Sequence, residues 1–509
     1  MMDGGPMMDE ESIADLIDAR AEQTPDAVFL IDPTAGRELT YGALAESCRS
    51  LRDLLLSFGH VPGEPLAYAM HNGVDAARAI LGLLYGGFHA TAVNLVAGRD
   101  TIMHVLTHSR ATRVLAQAET TDLIRESGSD VAVTLVDEAV FHGFLHPGPD
   151  ASERPVGTDD GLLMYTSGTT GTPKGVVLTH ANLIAGGRNA ALAHRLEAGD
   201  RGLCVLPLYH INGLCVTLLG ALVSGGSLVM PHRFSVSHFW DHLRTHRGTW
   251  FSVVPTQIAY LLEAAREGHD RSGLECLRFG RSASSPLSPD QQRAFEATFG
   301  VSIIETMGLT ETAAQILSNP IEGERRIGSP GIAVGNEVFV ADAEGRECPR
   351  GDEGEIRVRG SNVMKGYLRN PEATREALTD DGWLRTGDLG RMDADGYVTV
   401  TGRLKELIIK GGENIAPREI DEALYAHTDV VEAAAFACPC PNYGERVEAA
   451  VRLAQGSTVT VDDLMALTRA RLGAFKTPDA IHLLPELPKG PSGKIQRARL
   501  LDLTRQVYR

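Results

Sequence analysis

No stretch of about 18 consecutive apolar residues occurs in the chain, so a membrane-spanning helix is not expected. The opening Met1 to Ser12 is acidic and lacks both the basic region and the apolar run of a secretory signal. The expected location is therefore the reducing cytoplasm, with no stable membrane insertion. Cysteine is scarce and poorly spaced for metal: the seven residues at 48, 204, 215, 276, 348, 438 and 440 form no Cys-x-x-Cys pair, and Cys438-Pro-Cys440 has no His or Cys nearby at zinc spacing. A metal-thiolate centre is not expected. Positive charge is in deficit, the formal net charge being −18, so the overall field repels nucleic acid and anionic membrane. An anionic ligand must be held by local groups. Internal repeats and low-complexity tracts are lacking as well, which excludes a solenoid or an extended linker protein.

What remains is a globular chain. The 509 residues, at roughly 150 per domain, suggest about three folding units, and 43% hydrophobic with 22% charged residues suffices to bury a sizeable core. Thr40 reads as the N-cap of a helix whose apolar residues Leu44, Cys48, Leu51 and Leu55 fall at helical spacing. Short apolar runs at Leu66–Met70 and Ala90–Asn94 flank a second helical stretch, Ala76–Leu84. This βαβ texture predicts a mostly parallel sheet with ligands at the carboxyl ends of its strands. Residues 152–160 read as a linker. From Gly354 onward the pattern turns to short strands, as in Glu355–Arg359 and Tyr397–Val400. The last hundred or so residues, from just after Arg403, read as a compact α+β unit with helices near 419–426 and 461–472 and strands near 431–437, 447–453 and 481–484.

Tyr165-Thr-Ser-Gly-Thr-Thr-Gly-Thr-Pro-Lys-Gly175 lies between two apolar runs and reads as a loop joining two strands. Its glycines permit close backbone approach, the hydroxyls of Thr166, Ser167, Thr169 and Thr170 supply donors, and Lys174 supplies charge, a chemistry suited to polyphosphate. It is not a Walker A loop, whose Gly-x-x-x-x-Gly-Lys-[Ser/Thr] order is absent. The segment resembles the phosphate loop of the AMP-forming adenylating superfamily, which includes acyl- and aryl-CoA ligases, peptide-synthetase adenylation domains and firefly-type luciferases. Further similar motifs recur in order: Pro207-Leu-Tyr-His-Ile-Asn-Gly213, Val253-Val-Pro-Thr256, Thr306-Met-Gly-Leu-Thr-Glu311, Trp383-Leu-Arg-Thr-Gly-Asp-Leu389, Gly402-Arg-Leu-Lys-Glu406, Gly411-Gly-Glu-Asn-Ile415 and Pro488-Lys-Gly-Pro-Ser-Gly-Lys-Ile495.

The resemblance implies an α/β fold. A large N-terminal domain of several subdomains (1–402) would hold parallel sheets with helices and a small β-barrel-like part. A hinge (403–405) would pivot on Lys405, and a small mobile α+β domain (406–509) would carry the catalytic Lys494. It implies an acyl-CoA ligase: a carboxylate attacks the α-phosphate of ATP to give an acyl-adenylate, and a thiol then displaces AMP. Thr166, Ser167, Gly168, Thr169, Thr170, Gly171 and Lys174 would cradle pyrophosphate. Glu311, with Thr310 beside it, and Thr170 would hold Mg²⁺. Met307 and Gly308 would meet the adenine, Asp388 the ribose hydroxyls, and Arg403 the ribose or phosphate. After a domain turn, Gly411, Gly412 and Glu413 would line a tunnel for CoA, with Phe475 against its nucleotide.

By the same resemblance, His210 would guard the carboxylate path as a neutral steric and hydrogen-bonding group. The acyl pocket would draw on His210, Asn212, Val254, Pro255, Gly280, Arg281, Ser282, Ala283, Ser284, Gly308 and Thr312. Most of these are small or apolar, which favours a mainly apolar acid, and Thr306 stands where malonate-type ligases place a basic residue. Arg281 pointing inward would instead meet a second carboxylate or carbonyl, as in oxalate-type ligases, which the stretch 281–287 also resembles. Two departures stand out. Gly490 replaces a frequent Thr. Met307 replaces a usual aromatic, which would weaken the grip on ATP; one alternative is thus an enzyme that adenylates poorly and uses a preformed adenylate. Another is loading of a carrier protein, disfavoured because the chain ends soon after Lys494. A homodimer is left open.

Overall fold

The computed structural model describes residues 11–142, 154–166, 173–265, 270, 272–490 and 494–507, with the backbone alone for the last two. Helix starts follow side-chain chemistry. Ser12 and Asp15 cap helix Ile13–Gln23 reciprocally, and Thr40 Oγ1 accepts from the Ala43 N–H at 3.2 Å ahead of helix Tyr41–Ser57. The stripe Leu44, Cys48, Leu51 and Leu55 is fully buried, with helix Val74–Tyr85 packed alongside.

The βαβ texture becomes two mainly parallel sheets. In a seven-stranded sheet, Pro65–Ala69, His89–Ala92, Arg113–Ala116, Ala132–Leu135 and Asp160–Thr166 run parallel. Lys174–Thr179 then pairs antiparallel with Asp160–Thr166, setting Thr166 opposite Lys174. The ends of the glycine-rich loop are thus brought together. Its interior, including Ser167, Gly168, Thr169, Thr170 and Gly171, lies outside the described residues.

A nine-stranded sheet contains the parallel run Ser227–Val229, Arg201–Cys204, Trp250–Val253, Phe279–Ser282 and Ile303–Leu309. Strands buried on both faces read as continuous apolar runs, as in the fully buried Trp250–Val253. Adjacent parallel strands end on one edge. The Pro207–Gly213, Val254–Thr256, Ala283–Ser284 and Thr306–Glu311 segments therefore converge there although they are far apart in the chain.

The β-rich part is a four-stranded antiparallel sheet, Glu337–Ala341, Glu353–Arg359, Leu384–Met392 and Val398–Arg403. Its last strand leads through the single turn Leu404–Glu406, which holds Lys405, into Ile408–Lys410 of a separate sheet. That sheet adds Glu413–Ile415, Val430–Cys440, Gly444–Leu453 and Ala480–Leu483, covered by helices Pro417–Tyr425, Val461–Lys476 and Arg497–Val507. The Val430–Cys440 strand runs past the Ala437 limit read from the sequence, because Pro439 still pairs with Glu445 at the ribbon end. Among the described residues, no helix is long and apolar enough to cross a membrane.

Candidate functional site

Two adjoining cavities lie between the sheet edge and the C-terminal unit, sharing Ser284, Gly308, Leu309, Arg403, Glu406 and Lys494. The larger, about 610 Å³, is bordered by Thr166, Lys174, His210, Arg281 and Glu311. The smaller, about 180 Å³, is bordered by Pro255, Thr306, Met307 and Asp388. Residues read from seven separated motifs thus face one cleft.

Asp388 and Arg403 are cross-strand partners, with Arg403 Nε donating to Asp388 Oδ1 at 2.6 Å. The carboxylate, 4% exposed, holds the guanidinium above its ordinary pKa. Lys494 comes from the other unit, its Nζ 3.8 Å from Glu406 Oε1. Burial pushes the Lys494 ammonium below the usual lysine value and Arg403 pushes the same way, while Glu406 and Asp388 oppose them. Glu406 and Arg497 belong to this charge cluster, with Arg497 Nε 3.5 Å from Glu406 Oε2. Glu406 closes the Gly402–Glu406 motif, and Arg497 carries no sequence signal.

Glu311 sits in the turn Thr310–Thr312 after strand Ile303–Leu309 and accepts from Tyr367 Oη at 2.9 Å. Burial, followed by Glu311 itself, raises the Tyr367 phenol pKa, so the hydroxyl remains a donor. Lys174 Nζ lies 5.1 Å from the Tyr367 ring centroid, which ties the phosphate-loop lysine to the Glu311 side of the cleft. Tyr367, 56 residues beyond Glu311, reaches it because Gly366–Tyr367 pairs with Val176–Val177. No local pattern announces that pairing. Glu305 was also missed. It is buried, with Oε1 accepting from the Leu287 N–H, and it borders the smaller cavity beside Met307.

His210 borders the larger cavity, its Nδ1 accepting from the Asn212 N–H at 3.3 Å. Burial lowers its pKa to about 4, so the ring is neutral at physiological pH. Asn212 opens a π-helical segment, Asn212–Leu219, and Asn212 Nδ2 donates to Ser284 Oγ at 3.2 Å. The same Asn212 accepts from Arg281 Nη1 at 2.6 Å. Arg281 is 1% exposed, and its other partners, Ser252 Oγ and Gln315 Oε1, are neutral too. Burial lowers its pKa to about 9, which leaves it charged at neutral pH.

The acyl-pocket reading needs correction at Gly280, Ser282, Val254 and Thr312, which border neither cavity. Successive residues of a strand face opposite sides. Arg281 and Ala283 therefore reach the larger cavity, while Gly280 faces the Phe251 ring; a Cβ there would stand 2.2 Å from Phe251 Cζ. Thr312 instead bonds the backbone around Leu309 and Ala314.

Gly411, Gly412, Glu413 and Phe475 also border neither cavity in this arrangement. Gly411 and Gly412 make the turn between Ile408–Lys410 and Glu413–Ile415 with φ of 63° and 90°. Phe475 follows a break at Gly473 in the last helical turn and is 43% exposed. Lys410 Nζ donates to the Phe475 carbonyl at 3.1 Å, so the turn and the ring are neighbours.

A cleft in which cations from two separate units flank a carboxylate suits a nucleotide whose phosphates take part in chemistry. Residues 17–368 match the family described as AMP-binding enzyme and residues 419–494 the AMP-binding enzyme C-terminal domain, and the chain belongs to this family. It is 47% identical to a sulfoacetate–CoA ligase of Cupriavidus necator over 97% of this chain and 98% of that one. Identity to an oxalate–CoA ligase of Arabidopsis thaliana is 34%, over 96% and 98%. ATP-bound MatB from Rhodopseudomonas palustris superposes with a TM-score of 0.87 at 29% identity, covering 97% of this chain and 100% of that one. Apo MatB, with the same coverage and 30% identity, gives 0.74. The likeness is thus greater to the ATP-bound structure.

The chain is therefore an AMP-forming acyl-CoA ligase that works through an acyl-adenylate, using ATP, Mg²⁺ and CoA. The residues present fit a magnesium ion held mostly by substrate phosphates, since Glu311 offers a single carboxylate to the cavity that Lys174 also borders. Bound there, the ion would neutralise phosphate charge.

Proposed function

We propose that the acid activated here is small and carries a second anionic group, of the kind that sulfoacetate and oxalate present. The observation carrying this reading is Arg281, a buried guanidinium bordering the larger cavity whose hydrogen-bond partners are all neutral. A charge removed from water with neutral partners gains most from an anion, and guanidinium matches carboxylate or sulfonate geometry through paired donors. The expectation of a mainly apolar acid rested on the small residues of the lining; the inward guanidinium shifts the balance. The names of the two relatives above agree with this.

In the first half-reaction the substrate carboxylate oxygen bonds to the α-phosphorus while the bond to the pyrophosphate oxygen breaks. Lys494 supplies positive charge between two anionic reactants, Lys174 meets the departing pyrophosphate, and Asp388 accepts from ribose hydroxyls. His210, neutral, shapes the path of the carboxylate and takes no proton. In the second half-reaction the CoA thiol bonds to the acyl carbon and AMP leaves.

The test is a panel of sulfoacetate, oxalate, malonate, acetate, benzoate and ferulate, assayed separately for pyrophosphate release and for CoA thioester. A dianion should exceed acetate by about a hundredfold in kcat/KM, and Arg281→Met should erase most of that preference. Preference for acetate or an aryl acid, unaltered by Arg281→Met, overturns the reading.

A further inference from the structure

Away from the cleft, a second set of contacts joins the two units. The helix Pro255–Ala264 belongs to the N-terminal body, and its face carries Tyr260 and Glu263. Tyr260 Oη donates to Glu432 Oε1 at 3.0 Å, and Arg452 Nη2 donates to Glu263 Oε2 at 3.2 Å. Glu432 and Arg452 lie on the paired strands Val430–Cys440 and Gly444–Leu453 of the C-terminal unit. Ala259, Val431 and Ala454 form a small apolar contact beside them. Glu432 is fully buried, and its remaining partners, Arg452 Nε at 3.4 Å, Lys489 Nζ at 3.0 Å and the Leu487 N–H, which donates to Oε2 at 3.4 Å, come from its own unit. The C-terminal unit thus carries most of this charge cluster preassembled. Across the boundary, the cluster is completed by one phenol and one carboxylate.

Lys489 links the cluster to the cleft. Its ammonium lies 5.8 Å from the Tyr260 ring centroid, and its backbone pairs with Ile495 across a short antiparallel bridge. The Gly490 N–H donates to the Lys494 carbonyl at 2.7 Å, and the Gln496 N–H to the Pro488 carbonyl at 2.8 Å. A side chain pinned at Glu432 and Tyr260 therefore fixes the base of the hairpin that presents Lys494. At its other end, the Tyr260 helix begins with Pro255 and Thr256, which border the smaller cavity with Met307 and Lys494.

We propose that Tyr260, through the Tyr260–Glu432–Lys489 contact, is a positioning residue for adenylate formation: it holds the C-terminal unit in the arrangement that brings Lys494 to the cleft. It touches no reactant. Its loss acts on one half-reaction, because the CoA step makes no use of Lys494 in the cleft. The contact is a hydrogen bond to a carboxylate plus a cation over a ring, strong enough to bias two arrangements and weak enough to release.

The experiment compares Tyr260→Phe and Glu432→Gln with the parent enzyme in two assays. Adenylate formation is followed by pyrophosphate release in single turnover, with sulfoacetate or whichever panel acid is faster. Thioester formation is followed from the synthetic adenylate of that acid plus CoA. Both variants keep shape and volume, and circular dichroism and thermal melts report their folding. Adenylate formation should fall about tenfold in each, with thioester formation within twofold of the parent and the KM for the acid unchanged. An equal fall in both assays marks a general structural role and overturns the proposal, as does no change in adenylate formation or a loss confined to the thioester step. Glu263→Gln, which weakens the neighbouring contact and leaves Arg452 on Glu432, provides a further check: it should lower adenylate formation more than thioester formation, and the reverse order would overturn the proposal.

Discussion

Asp388 and Arg403 stand directly opposite each other on adjacent antiparallel strands, joined by a 2.6 Å hydrogen bond where both border the smaller cavity. The pairing fixes the carboxylate without exhausting it, since its second oxygen remains a candidate acceptor for ribose. Asp388→Asn preserves shape and removes the charge. Truncating one member of a buried charge pair costs about 2–5 kcal/mol, so kcat/KM for ATP should fall about a hundredfold or more, with the melting temperature reporting any general loss. Steady-state kinetics with ATP varied provides the check.

Met307 borders the smaller cavity, at the position where the resemblance to the adenylating superfamily implies a ring. A thioether covers a base by dispersion but lacks a flat face, and stacking contributes about 1–3 kcal/mol. Met307→Tyr should therefore lower the KM for ATP about tenfold, measured by pyrophosphate release, and leave thioester formation from supplied adenylate nearly unaltered. A rise in KM contradicts that assignment of the adenine face.

The pH dependence follows from the direction of the Lys494 shift. Burial favours the neutral amine, so the ammonium is lost at a lower pH than for an ordinary lysine. Adenylate formation, which uses the charged form, is present on the acid side of that pKa and falls as pH rises through it. Thioester formation from supplied adenylate should lack this limb. Lys494→Arg should shift it out of the accessible range, whatever activity survives. His210, neutral above about pH 4, should contribute no limb near neutrality.

Gly280 tests which way the strand Phe279–Ser282 faces. An added methyl meets the Phe251 ring at 2.2 Å, and overpacking a core costs about 1–3 kcal/mol. Gly280→Ala should lower the melting temperature by several degrees and leave the order of preferred acids intact. A reordered panel at unchanged stability would place Gly280 in the pocket after all.

The legible features were those written in local patterns. The stripe from Leu44 to Leu55, the paired strands around the glycine-rich loop and the α+β texture after Arg403 all follow from periodicity. Motif identity pointed to Asp388, Arg403, Glu311 and Lys494, which the structure gathers in one cleft. Facing was harder to read. Gly280 and Arg281 are neighbours in sequence, and only the strand's register assigns one to the core and the other to the cavity. Tyr367, Glu305 and Tyr260 gain their partners through tertiary pairing across tens to hundreds of residues, which no window of sequence displays.

The account rests on Lys494 entering the cleft from the second unit to serve one chemical step. The most direct measurement is Lys494→Ala assayed for both half-reactions on the same preparation. Adenylate formation should drop by a hundredfold or more, roughly the loss of one preorganised charge at the transition state, while the synthetic acyl-adenylate is still converted to its CoA thioester at near the parent rate. Undiminished pyrophosphate release by Lys494→Ala, or equal loss of both steps, would contradict it.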